Sequence, residues 1–105
     1  MVLLDSDVKL HTTADGFAAL GSPARLQIVR ALVRAGEKGL SVGDIQSQTG
    51  IAASTLAHHL RSLVSVGLIQ QQKIGRTIIN VAEFEQLQAL AGYILEECCA
   101  DQNKY

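Results

Sequence analysis

The chain has 105 residues, of which 48% are hydrophobic and 4% aromatic, and its formal net charge is −1 at pH 7. This length supports one domain with a single core. The scarcity of aromatic side chains argues against single-strand binding by base stacking, and no apolar run approaches the roughly 18 residues of a membrane helix.

The chain begins with MVLLDSD, which lacks the basic region of a secretory signal, and its two cysteines are adjacent rather than spaced as a disulfide framework. We therefore expect a cytoplasmic protein without a membrane partner. Residues 1–11 have no clear period. Thr12 or Thr13 is a candidate N-cap for a first helix that Gly21 would end.

A second helix is predicted from Ser22, as its N-cap, and Pro23, which suits the first helical position because it lacks an N–H. Arg25 in its first turn opposes the helix dipole, which predicts either an anionic partner or a solvated side chain. The buried face of this helix is predicted to hold Leu26, Val29, Leu32 and Val33.

Residues 41–67 predict two short helices joined by a glycine turn, the pattern of a helix-turn-helix. Ser41 and Asp44 resemble a capping box, and Gly50 favours the left-handed backbone that ends a helix. In the second of these helices, Leu56, Leu60, Leu63 and Val64 recur on one face and should pack inward. The outward set carries donors and no acid: Ser54, Thr55, His58, Arg61 and Ser62. Such a face suits the major groove, so we predict DNA recognition.

Residues 69–81 predict a two-stranded hairpin around Ile74, Gly75 and Arg76, which would form a wing beside the recognition helix. We expect Lys73, Arg76 and Thr77 to contact phosphates or the minor groove. Any solvated hairpin tip could hold two cations, so this prediction depends on the helix beside it.

Residues 83–99 predict a last helix with an apolar face wider than one core contact requires: Phe84, Leu87, Leu90, Ala91, Ile94 and Leu95. The excess predicts a partner helix, and therefore a homodimer that binds an inverted repeat in double-stranded DNA. The alternative is a helix that lies across its own core.

Charge is distributed unevenly along the chain. Residues 21–80 hold seven cationic side chains against two acidic ones, a balance of +5, whereas residues 1–20 carry −2 and residues 81–105 carry −4. Positive charge therefore coincides with the segment predicted to meet DNA phosphates.

Four segments of the chain resemble the arsenic-repressor (ArsR/SmtB) family of bacterial winged-helix repressors: GSPARLQIVRAL (21–32), GLSVGDI (39–45), STLAHHLRSLVSVGLI (54–69) and KIGRTIINV (73–81). The resemblance covers most of the chain. It implies one winged helix-turn-helix domain over residues 1–105, mainly α with a small β-hairpin (α+β), in which four helices precede the hairpin and a fifth follows. It also implies dimerisation through the first and last helices.

Two inducer sites of the family are missing. Where one family pattern has Cys-Val-Cys-Asp, this chain has Ser41-Val42-Gly43-Asp44, and the last helix has glutamates but no histidine for a zinc site. Glutamates alone prefer hard cations and are more simply a solvated face. No cofactor is required by these features.

Cys98 and Cys99 remain as candidate inducer ligands near the predicted dimer interface. Thiolates suit trivalent arsenic or antimony, which would act as the inducer, but pyramidal arsenic prefers three sulfurs. Consecutive helical side chains point about 100° apart, so both could face one ion only where the helix frays. A small thiol or the partner subunit's His11 could add a ligand. Oxidant or persulfide sensing, and no cysteine-based sensing at all, are the open alternatives.

These features together predict a dimeric transcriptional repressor that an inducer releases from DNA. A winged helix that serves as a protein-interaction module is the alternative outside DNA binding. An enzyme is not expected, because the sequence has no nucleophile, base and acid set and no phosphate-binding loop.

Overall fold

The computed structural model describes the backbone of residues 5–104 and the side chains of residues 6–102. The helices are α1 (Asp5–Leu20), α2 (Pro23–Ala35), α3 (Val42–Thr49), α4 (Ala53–Ser65) and α5 (Phe84–Leu95). The strands are β1 (Leu40–Ser41), β2 (Ile69–Ile74) and β3 (Thr77–Ala82), with short 3-10 turns at Gly36–Lys38 and Ala100–Lys104. The predicted class is confirmed, and β1 is a strand that the prediction lacked. Residues 1–4 of the aperiodic N-terminal stretch and Tyr105 lie outside the described residues.

The first helix is longer than predicted. It starts at Asp5, so Thr12 and Thr13 lie within it and neither is its N-cap. Gly16 faces α5 at close range, because a Cβ built on it would lie 2.8 Å from Leu90 Cδ2. The two ends of the chain are therefore packed against each other as neighbouring helices.

The local signals at the starts of α2 and α3 are confirmed. The Ser22 hydroxyl accepts the backbone N–H of Arg25 at 3.3 Å, with Pro23 at the first helical position. The Ser41 hydroxyl accepts the Asp44 N–H at 3.1 Å, and the Asp44 carboxylate accepts the Ser41 N–H at 3.4 Å. Gly50 ends α3 with a left-handed φ of 73°.

The sheet is antiparallel with β3 in the centre, and the side chain of Asn80 on β3 is fully buried. Asn80 Oδ1 accepts Gln71 Nε2 of β2 at 2.9 Å, and Asn80 Nδ2 donates to the carbonyl of Leu40 of β1 at 3.2 Å. Gly39 lies just before β1 with φ 67°, and a Cβ there would lie 2.5 Å from the Asn80 carbonyl oxygen. One buried amide thus joins all three strands and positions the wing relative to α3.

The core lies between α2, α3, α4 and the sheet, where Ile28, Leu32, Ile45, Leu56 and Leu63 are fully buried. Three residues predicted to be buried are exposed instead. Leu26 and Val33 of α2 are 48% and 44% exposed, and Val64 of α4 is 39% exposed. The stripe that α2 buries is rotated toward Ile28, because α3, α4 and β3 cover that side of the helix.

The last helix is shorter than predicted. It ends at Leu95 rather than residue 99, and residues 96–99 form a turn in which the Cys98 N–H donates to the Leu95 carbonyl at 2.9 Å. Cys99 has a left-handed φ of 63°, uncommon for a residue with a side chain. None of the helices within residues 5–104 is both long and apolar enough to cross a bilayer.

Candidate nucleic-acid interface

The orientation of α4 is set by its leucines. Leu56, Leu60 and Leu63 are all buried, and their spacing places them on one face of the helix. The opposite face is left to solvent, and four predicted base- or phosphate-contacting residues are exposed there: Ser54, Thr55, His58 and Arg61. Ser62, predicted to point outward with them, is half-buried.

The wing lies next to α4, because β2 packs against that helix. The strands β2 and β3 pair from Ile69 opposite Ala82 to Ile74 opposite Thr77, so the connection at the tip is Gly75 and Arg76 alone. Lys73, Arg76 and Thr77 are exposed at this end of the hairpin. The structure therefore brings the two predicted groups of DNA-contacting residues onto neighbouring elements.

The charged side chains of α4 and the wing are all cationic. Residues 45–82, which include all of α4 and the wing, contain no aspartate or glutamate. The N-terminus of α4 adds backbone donors, since its N-cap is Ala52 and no side chain accepts a hydrogen bond there. The surface presents hydrogen-bond donors and cations without an acid that would repel phosphates.

A hydrogen bond that the sequence did not predict fixes α4 against α2. Arg25 Nε donates to His59 Nδ1 at 3.1 Å, and Arg25 Nη1 donates to the Ala19 carbonyl of α1 at 3.5 Å. The pKa of His59 lies below its ordinary value, first because partial burial disfavours the imidazolium, and then because Arg25 and His58 lie nearby. The neutral ring is the form that accepts from Arg25. His59 is thus a structural residue, while His58 stays exposed.

The helices α1 and α5 are apolar at their surface. Large side chains on α1 and α5 are between 38% and 67% exposed: Val8, Leu10, Phe17, Ile94 and Leu95. A cavity of about 270 Å³ lies between these helices, lined in part by Val8, Gly16 and Leu90. Lys9 of α1 and Glu96 after α5 form an exposed ion pair at 3.0 Å.

Cys98 and Cys99 lie at the end of this region as exposed free thiols. Their Sγ atoms are 3.5 Å apart, because the helix has ended before them and the left-handed Cys99 turns its side chain toward its neighbour. Both sulfurs could therefore face one ligand atom. Within the described part of the chain, no third histidine, cysteine or carboxylate completes a metal-binding group with them. His11 on α1 is exposed.

Comparison with known proteins places this architecture in a class. A family model described as a helix-turn-helix domain matches residues 20–72. A curated transcriptional repressor SmtB homolog from Synechocystis sp. is 34% identical over 65 residues, which cover 62% of this chain and 47% of that protein. The chain thus aligns with about half the length of this relative.

Two solved structures are similar over nearly the whole chain. An ArsR-like transcriptional regulator from Rhodococcus sp. RHA1 is 27% identical with a TM-score of 0.74, covering 90% of this chain and 86% of the other. A homodimeric winged helix-turn-helix DNA-binding domain from Mycobacterium bovis is 26% identical with a TM-score of 0.71, covering 90% and 89%.

The helix-turn-helix of α3 and α4 with the adjoining hairpin defines a winged helix-turn-helix protein. Within that class, the chain belongs to the arsenic-repressor (ArsR/SmtB) family of transcriptional regulators. The members of this family are regulators rather than enzymes.

Proposed function

We propose that residues 1–105 act as one winged helix-turn-helix domain, a dimeric and sequence-specific transcriptional repressor in the cytoplasm. The observation that carries the proposal is the exposed, acid-free surface that α4 and the wing share. A helix of this kind enters the major groove of double-stranded DNA, and the wing lies over the adjacent backbone. Occupation of a promoter would block transcription.

The helix α4 and the wing would make different kinds of contact with the duplex. Ser54, Thr55 and His58 lie near the start and middle of α4 and would contact base edges, which specify sequence. Four further residues would contact phosphates or the minor groove beside the wing: Arg61, Lys73, Arg76 and Thr77. Phosphate contacts position the protein on the duplex without specifying its sequence.

The division can be tested with two substitutions and two duplexes. Arg76→Ala should weaken binding to operator and random DNA by the same factor and flatten the salt dependence, with a slope change of about 1. His58→Ala should instead reduce the preference for operator over random DNA. Fluorescence anisotropy at several salt concentrations measures both quantities, and equal losses on both duplexes in both variants would contradict the division.

A homodimer is supported by the exposed apolar side chains of α1 and α5, such as Ile94 and Leu95, and by the homodimeric relative from Mycobacterium bovis. An apolar surface of this kind is costly to leave in water. A two-fold dimer repeats α4 in two half-sites about one helical turn of DNA apart, so the operator would be an inverted repeat.

Release from DNA would follow binding of an inducer at Cys98 and Cys99. The thiol separation of 3.5 Å supports a shared soft ligand, and trivalent arsenic or antimony is the ligand that this chemistry favours. Two sulfurs from this chain would need a further ligand from a small thiol or from the partner subunit's His11. Release requires that the inducer bind the conformation with low DNA affinity more tightly than the other.

The inducer is tested by titrating arsenite and antimonite into the reduced protein on its DNA. Release of the wild type but not of Cys98→Ser/Cys99→Ser supports the metalloid site. Release by an oxidant or a persulfide donor alone, with the same dependence on the thiols, supports the redox alternative. A wild type that ignores all of these reagents has no cysteine-based sensing. Absence of salt-dependent duplex binding would favour a protein-interaction module instead.

A further inference from the structure

The positive charge of the central segment divides into two groups in the structure. Arg61, Lys73 and Arg76 belong to α4 and the wing, which the proposed function uses. Three other cations line a separate open groove of about 760 Å³ between α2 and α3: Arg30, Arg34 and Lys38. The seventh cation of the segment, Arg25, is engaged by His59.

The groove cations form no ion pair within the described part of the chain. No carboxylate lies within ion-pair distance of any of the three among residues 6–102. Asp44 is the only acid that lines the groove, and its carboxylate accepts the Ser41 N–H at the start of α3. Arg30 and Arg34 are four residues apart on α2, where like charges repel. An anion in the groove would relieve that repulsion.

The position of the groove favours one class of anion. One wall is α3, with Asp44 and Gln48, and α3 is the first helix of the helix-turn-helix. When the second helix lies in the major groove, the first crosses the DNA backbone. In such a complex, the sugar-phosphate strand that α3 crosses would pass beside the groove of which α3 is one wall.

From this placement we propose that Arg30, Arg34 and Lys38 form a second phosphate-binding surface, which takes backbone phosphates of the bound duplex beyond those reached by α4 and the wing. The inference rests on the proposed function. A DNA backbone fits better than a free nucleotide, because the groove is open and the residues that line it include no aromatic side chain for a base.

The test compares wild type with Arg30→Gln/Arg34→Gln/Lys38→Gln on operator and random duplexes by anisotropy at several salt concentrations. All three side chains are exposed, so thermal unfolding should show a folded variant. The slope of log affinity against log salt should become shallower by about 0.9 for each phosphate that the variant no longer neutralises. Affinity should fall by the same factor on both duplexes, leaving the preference for operator unchanged.

A charge-retaining variant separates charge from shape. Arg30→Lys/Arg34→Lys keeps three cations in the groove and should keep most of the wild-type salt slope. A wild-type slope in the triple glutamine variant would overturn this proposal while leaving DNA binding by α4 intact. If the wild type itself shows no salt-dependent binding, the proposed function fails as well. If ATP stabilises wild type against heat but not the triple variant, and the DNA slope is unchanged, the groove belongs to a free phosphorylated ligand.

Discussion

The packed region formed by α2, α3, α4 and the sheet differs sharply from the pair formed by α1 and α5. Leu56 and Leu63 in the former are fully buried, whereas Ile94 and Leu95 on α5 are 67% and 65% exposed. The former region supplies most of the buried core, although three apolar side chains on its helices are 48%, 44% and 39% exposed: Leu26, Val33 and Val64. The helix pair exposes apolar surface of the kind that marks an interaction site. In the proposed function, DNA recognition and assembly therefore use different elements of one small fold.

The two regions also differ in the burial of their polar contacts. Asn80 in the sheet is fully buried, and both its amide nitrogen and its amide oxygen are hydrogen bonded. The Lys9–Glu96 pair that joins α1 to the end of α5 is exposed, and exposed pairs contribute little to stability. This ion pair therefore adds little to the close packing of Gly16 on Leu90, which is the contact that holds α1 against α5.

The largest expected effect is on folding. Leu63→Ala should lower the free energy of unfolding by about 2–5 kcal/mol, because it leaves a cavity in the core. The neighbouring Val64→Ala is the matched control, and it should cost far less because Val64 is partly exposed. Urea unfolding measures both, and equal losses would contradict the burial that separates these two positions.

The next effect is on assembly. Ile94→Ser should weaken dimerisation by about 2–3 kcal/mol over the two copies, since each copy buries less apolar surface at the interface. That is roughly 30- to 150-fold in the dissociation constant, measurable by sedimentation equilibrium. Val33→Ser removes an apolar side chain of α2 that is 44% exposed and should leave the dimer unchanged. Equal weakening by both substitutions would place the interface elsewhere.

A smaller loss is expected at the sheet. Asn80→Ala removes the acceptor for Gln71 and the donor for the Leu40 carbonyl, and should cost about 1–3 kcal/mol of stability. Gln72→Ala on the exposed face of the same sheet is the control. Chemical unfolding compares the two, and a neutral Asn80→Ala would mean that the buried amide does not hold the wing.

The smallest effect is a pH dependence at His59. Its lowered pKa means that the folded protein binds fewer protons than the unfolded chain, so stability falls as the pH drops below the ordinary value of 6.5. His59→Gln can still accept from Arg25 and does not titrate. Wild type should therefore lose more stability than this variant as the pH falls through that value, measured by urea unfolding at each pH. Parallel losses would show that His59 is not linked to folding.

The sequence predicted best where the signal is local. The Ser22 and Ser41 caps, the Gly50 stop and the two wing strands each follow from residue type over a few positions. It predicted poorly where burial depends on distant elements. The exposed Leu26 and the buried Ile28 cannot be distinguished by period alone, since which stripe is covered depends on α3, α4 and β3.

Contacts between distant residues of the candidate site could not be predicted from the sequence either. The place of Arg25 in the first turn of α2 predicted either an anionic partner or a solvated side chain. No local pattern could identify its partner as His59, which lies 34 residues later in the sequence. The buried Asn80 looked like any polar strand residue. The approach of Cys98 and Cys99 depends on where α5 ends, and its period continues past Leu95 without a glycine or proline to stop it.

Binding of a specific duplex by the surface of α4 and the wing is the property on which the proposed function depends. It is measured by selecting duplexes from a random pool with the wild-type dimer, and then comparing the selected duplex with a scrambled one by anisotropy across salt concentrations. We expect an inverted repeat among the selected sequences and tighter binding to it than to the scrambled duplex. The logarithm of the affinity should fall linearly with the logarithm of the salt concentration. Binding that is absent, or that is equal for both duplexes at every salt concentration, would contradict the proposed function.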